Sequence, residues 1–186
     1  MPNEDSPIDL RRLSETMYHN MRDIGGGLMK GERAGHSLSP TALVGAAVER
    51  LLATDQTRFN DRAHLLAAAA IAMRRILVEH ARGRNRTKRG GGRSRVAWDD
   101  VMHAVSKQED PSLVLALDEA IEMVAKEDDR YGRIAELRIF GALTNPEIAQ
   151  VLGVSVSTIE KDWKYVKPKL LHLVGHSPDG PVTSQA

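Results

Sequence analysis

Apolar residues recur along this chain at helical spacing, and almost nowhere at the period of two that a half-buried strand needs. A first helix is expected within Ile8–Met29, weakened by the glycines at 25–27. A second follows "SLSP", with Pro40 in its first turn, and runs to about Ala53. A third starts after Asn60 or Asp61, either of which can cap it, and runs through "RAHLLAAAAIAMRRILVEHAR". This third segment is apolar on nearly every side as far as Met73, which predicts burial on several faces. No strand is expected.

In the second half, Asp110-Pro111-Ser112 is a helix-start signal. "LVLALDEAIEMVAKE" then places Leu113, Leu117, Ala120, Ile121 and Val124 on one stripe. "DRYGRIAELRIF" supplies a further helix with Ile134, Leu137 and Phe140. The stretch Leu143–Leu170, "LTNPEIAQVLGVSVSTIEKDWKYVKPKL", holds the last two. Thr144 and Glu147 form a T-x-x-E capping box. Ile148, Val151 and Leu152 face inward, and the small Ala149 permits a close helix crossing. Gly153 stands where the helix must end in a left-handed residue. Ser155 can cap the next helix. In that helix Val156, Ile159, Trp163, Val166 and Leu170 repeat at 3-4-3-4 spacing as a buried stripe. Ser157, Thr158, Lys161, Lys164 and Tyr165 occupy the other side, with no carboxylate at its centre. Pro168 removes a backbone hydrogen bond and is expected to kink or shorten the helix beyond Val166.

Two short helices with a tight glycine turn describe either a plain antiparallel pair or a helix-turn-helix unit. The cap, the alanine, the glycine and the serine all stand in the order of the second. Its second helix enters a DNA major groove, with Ser155, Ser157, Thr158, Lys161, Lys164 and Tyr165 as candidate contacts to bases and phosphates.

Charge strengthens that reading. Residues 1–95 carry 17 Lys/Arg against 10 Asp/Glu, a net +7, whereas residues 96–186 carry 9 against 15, a net −6. Seven of the cations lie in "RGRNRTKRGGGRSR", residues 82–95, with no acid and four glycines. Such a segment cannot build a core. It is either a solvated linker or a phosphate grip in which Arg82, Arg84, Arg86, Lys88 and Arg89 take part. Residues 99–129 hold ten Asp/Glu against two Lys/Arg. By composition they read as a solvated helix face and loop.

The segment "LALDEAIEMVAKEDDRYGRIAELRIFGALTNPEIAQVLGVSVSTIEKDW" resembles the fourth conserved domain of bacterial RNA polymerase sigma factors of the extracytoplasmic-function type. "GHSLSPTALVGAAVERLL" and "HLLAAAAIAMRRILVEHARGRNRTKRGGGR" resemble the second conserved domain in one subgroup of that family. The matches stand in the family's order between Ile8 and Val174. The resemblance implies an all-α chain: a domain in residues 1–95, a linker at 96–112, a helix-turn-helix domain at 113–174 and a disordered tail at 175–186. It also implies promoter DNA and core RNA polymerase as partners, with an anti-sigma factor as a candidate third. By position, Arg74, Arg75, Glu79, His80 and Arg82 would meet the minus-ten element. On a helical wheel Arg74, Arg75 and Arg82 point outward, while Glu79 and His80 tilt toward the buried side. Leu43, Ala46, Glu49 and Arg50 would face the polymerase. One departure touches that helix: the subgroup reads "LVHEAYLRL" where this chain has "LVGAAVERL", replacing a His, an acid and an aromatic by Gly45, Ala46 and Val48.

Other chemistry is thinly supported. There is no cysteine, which excludes disulfides and thiolate catalysis and fits a reducing cytoplasm. "GVSVS" lacks the second glycine of a nucleophile elbow, and no P-loop is present. His172 and His176 could share a helix face, but a third metal ligand is missing. No cofactor, metal or enzymatic activity is expected. The acidic "MPNEDSPIDL" lacks an apolar core, so no signal peptide is expected. The longest apolar run, "LLAAAAIAM", has nine residues against the roughly 20 that span a bilayer. Two further readings remain: a helix-turn-helix regulator without productive polymerase binding, and a module that binds an anti-sigma or polymerase partner without DNA.

Overall fold

The computed structural model describes residues 7–12, 18–19, 21–23, 38–54, 57–85, 98–99, 101–102 and 111–175. It opens on extended chain where a helix is expected. Strand β1 (Ile8–Asp9) runs antiparallel to β2 (Arg58–Phe59), with Ile8 opposite Phe59. A 3-10 turn, Leu10–Arg12, comes next, and the Leu10 N–H donates to the Thr57 carbonyl. A pairing two residues long leaves no periodicity for a sequence to display. Farther on, Tyr18–His19 and Met21–Asp23 are helical.

Helix α1 (Pro40–Ala53) starts where the Ser39 hydroxyl accepts the Ala42 N–H at 3.1 Å. Helix α2 (Arg62–Asn85) is capped by Asp61 rather than Asn60. One Asp61 oxygen accepts the His64 N–H at 3.0 Å, and the other lies 2.7 Å from the His64 ring. Burial works to raise the Asp61 pKa, but these bonds outweigh it and hold the carboxyl below its ordinary value.

The second half folds as α3 (Pro111–Glu127), α4 (Asp129–Phe140), α5 (Asn145–Leu152) and α6 (Val156–Gly175). The expected stripes of α3 and α4 are buried. A Cβ at Gly132 would fall 2.5 Å from that of Ala125, so only a residue without a side chain lets α4 lie this close to α3.

Helix α2 explains its own composition. It packs against α1 on one side and against α3, α4 and α5 on another. Ala67, Ala69, Ala70 and Ala72 are buried at these contacts, letting neighbours approach, while Leu65, Leu66, Met73 and Leu77 fill the space between. One continuous core therefore runs through both halves.

Three orientations differ from expectation. Helix α6 is not shortened by Pro168 but continues to Gly175. Pro168 is exposed, so water can take the freed carbonyl, and Leu170 and Val174 beyond it are buried and anchor the last turns. Val156 opens α6 before the stripe reaches the bundle at Ile159, and stays 38% exposed. Glu79 lies outside rather than inside, because Arg50 of α1 reaches across to it at 2.8 Å. Among the described residues no helix is long and apolar enough to cross a membrane, and no cluster of side chains is suited to a metal ion. Gly175, the first residue of the tail expected at 175–186, belongs to α6 instead, and the rest of that tail, His176 included, lies outside the described residues.

Candidate nucleic-acid interface

The turn between α5 and α6 is fixed by local bonds. Glu147 accepts the Thr144 N–H at 2.8 Å, and the Thr144 hydroxyl accepts the Glu147 N–H at 3.5 Å, closing the capping box. Burial of the Glu147 carboxyl works against its charge. Bonds from Thr144 and the cation of Arg62 outweigh burial and lower its pKa. Gly153 has φ 66°, the left-handed conformation that ends α5. The Val154 N–H then returns to the Ala149 carbonyl at 3.1 Å. Ser155 caps α6 by accepting the Thr158 N–H at 3.1 Å, and its hydroxyl also bonds those of Ser157 and Thr158.

The underside of α6 is held firmly. Ile159, Val166, Leu170 and Val174 are buried. Between them Asp162, 6% exposed, accepts from Arg130 of α4 at 2.6 Å. That charge-assisted bond raises the Arg130 pKa. Trp163 lies edge-on to Trp98 at 5.3 Å, and Arg138 stacks 4.9 Å from the Trp163 ring. Burial lowers the Arg138 pKa.

The outer side is open. Ser157, Lys161 and Lys164 are exposed, spaced four and three residues apart along one stripe. They span about 10 Å at the helical rise, which suits a major groove about 12 Å wide. Among the described residues no carboxylate pairs with Lys161 or Lys164. Thr158 is half-buried beside the cap. Tyr165 is exposed but engaged: its ring lies 5.4 Å from that of Tyr131, and its hydroxyl donates to Glu127 and accepts from Lys169. Five of the six expected contact residues thus share the start and outer face of α6, while Tyr165 stands at the edge, clipped to α3.

The face expected on α2 is assembled differently. Arg75 is exposed, and the side chains of Arg82 and Glu79 are 65% and 58% exposed. Arg74 is not on that surface. It turns inward to Asp118 of α3 and Glu136 of α4, so the outward placement by the wheel is corrected. His80 is half-buried, and Arg84 lies half-buried in the last turn of the helix. Arg86, Lys88 and Arg89 lie outside the described residues. On α1, Glu49 is exposed, Ala46 is partly so and Arg50 is tied to Glu79. Leu43 is fully buried, so it serves the core and offers no surface to a partner. A Cβ at Gly45 would meet nothing within 4 Å, so a side chain there has room.

Sequence reasoning missed Asp118, Glu136, Arg130 and Asp162. Each is a charge inside an apolar stripe, which is the signal that could have found them. Asp118 stands directly after Leu117, and Asp162 precedes Trp163.

No curated protein and no solved structure matches this chain. The family model described as ECF sigma factor does match, over residues 7–174. Members of this family act in transcription initiation and are not enzymes. The span takes in α1, α2, the turn at Gly153 and the open face of α6, and on it this chain belongs to the ECF sigma factor family.

Proposed function

We propose that this chain binds core RNA polymerase and directs it to promoter DNA, with α6 reading one promoter element and α2 contacting another. The open stripe Ser157–Lys161–Lys164 on a helix held from below carries the reading. Cations reach phosphates and bases, the positive end of the helix dipole favours an anion, and the Arg130–Asp162 pair keeps the helix from turning. Arg75 and Arg82 supply the exposed cations of the α2 face. Glu49 and the partly exposed surface of α1 are offered to the polymerase, and an anti-sigma factor is a further candidate partner for the same surfaces.

Run-off transcription with purified core enzyme tests this. Discrete transcripts from fragments that the chain selects are expected. One observation favours a second reading, a DNA-binding regulator: α1 lacks an acid at Ala46, and its Arg50 is occupied by Glu79. DNA binding without retention of core polymerase would support that reading. Absence of any salt-dependent DNA shift would contradict both, and leave a protein-interaction module.

A further inference from the structure

Both tryptophans of this chain meet at one place. Trp98 comes from the stretch expected as a linker, and its ring stands edge-on to that of Trp163 on α6 at 5.3 Å. Val101, three residues on, is 1% exposed and joins the core, so this part of the linker is docked on the bundle. The ammonium of Lys167, also on α6, lies over the Trp98 ring, 5.1 Å from its centre. Among the described residues no carboxylate pairs with Lys167.

The kind of partner matters. A carboxylate would cancel the charge of Lys167. An aromatic face attracts the ammonium through its quadrupole and leaves the charge and the N–H donors in place. A lysine side chain left loose must be ordered when it meets a ligand, which costs affinity. Trp98 orders this one beforehand.

The position of Lys167 on α6 suits a phosphate. At about 100° per residue, steps of three drift about 60° back around the helix. The row Lys161, Lys164, Lys167 therefore winds from the middle of the open face to its flank. A helix lying in a major groove turns its middle to base edges and its flanks to the backbones on either side. The acid nearest in phase, Glu160, is seven residues and about 10 Å back along the axis.

We propose that Trp98 is a positioning residue for a further phosphate contact. It docks the linker on α6 and holds the Lys167 ammonium at the flank of the open face, ready for the DNA backbone. This rests on the reading that α6 meets DNA.

Duplex binding by the full chain over a series of salt concentrations tests it, on a random-sequence duplex and on one enriched from a random pool. Lys167→Ala is expected to weaken both complexes alike and to reduce the salt slope by about one. Trp98→Ala removes no charge, yet it should reduce the slope as well and weaken binding about threefold. The double variant Trp98→Ala/Lys167→Ala should bind no more weakly than Lys167→Ala alone, since the tryptophan acts through the lysine. Trp98→Phe keeps an aromatic face and should restore most of the slope and the affinity. A Trp98→Ala chain with a lowered melting temperature and an unchanged salt slope overturns the proposal, because a residue that only props the fold would do that. Lys167→Ala with an unchanged slope overturns it without any change at Trp98. Native chain that binds no duplex removes the DNA reading and the proposal together, whereas native binding with fully additive losses in the double variant removes the proposal alone.

Discussion

The two expected DNA faces of this chain are built by opposite means. The face on α6 is local. Its cap, turn and stripe lie within the 21 residues from Thr144 to Lys164, and no carboxylate among the described residues pairs with its lysines. The face on α2 is tertiary. Arg74 is held by residues 44 and 62 positions away, Glu79 is drawn out by Arg50, and small side chains let a second layer of helices cover the rest. The contrast teaches that a basic helix is not by itself a binding surface. What its arginines do depends on which acids the fold brings to them, and those acids are distant in sequence.

The strongest blow to the α6 face comes from beneath it. Arg130→Ala would leave Asp162 buried without its cation, at a cost of about 2–3 kcal/mol. Thermal unfolding should register that loss, and α6 should lose its DNA affinity before the rest of the chain melts. Next is the turn. Gly153→Val forces a branched residue into a left-handed conformation and should cost about 1–2 kcal/mol, seen as a lowered melting temperature. An unaltered melt would mean that the turn tolerates another geometry.

Acid sharpens the comparison from the other side, with a smaller effect. Asp61 and Glu147 are held below their ordinary values of 3.8 and 4.5. The folded chain therefore takes up these protons later than the unfolded one. Their contribution is complete above those ordinary values and is lost as pH falls through the lowered, folded ones. Both groups join α2 to α5, through Gln150 and Arg62. Stability measured from pH 6 to pH 3 should fall at the acid end, and Glu147→Gln should flatten part of that fall. The smallest effect is expected at Ala142, which has φ 49° between α4 and α5. Ala142→Gly should relax this residue and raise stability by about 0.5 kcal/mol in a denaturant titration, leaving both faces intact.

Legibility in the sequence divides along the same line. The stripes of α3 and α4, the box at Thr144, the left-handed Gly153 and the cap at Ser155 could all be read, because each depends on neighbours within about one turn. The burial of α2 on several sides was also legible, from an alanine-rich run without a polar face. What covers α2 was not, since nothing local says that Asp118 and Glu136 will meet Arg74. Helical phase misplaced Glu79 and Arg74 for the same reason: long side chains go where a partner calls them. Val156 and Pro168 were misjudged because phase and propensity ignore how far along α6 the bundle reaches.

In the proposed function α6 reads DNA through its open face. Selection of duplexes from a random pool, with the native chain and with Lys161→Ala, tests it most directly. The native chain should enrich one short element. The variant should bind that element about 1–3 kcal/mol more weakly and lose preference at a defined base position, if Lys161 contacts a base. If it contacts phosphate, binding should fall alike on all sequences and the salt slope should drop by about one. No enrichment by the native chain, or unchanged affinity of Lys161→Ala for every duplex, would contradict the account.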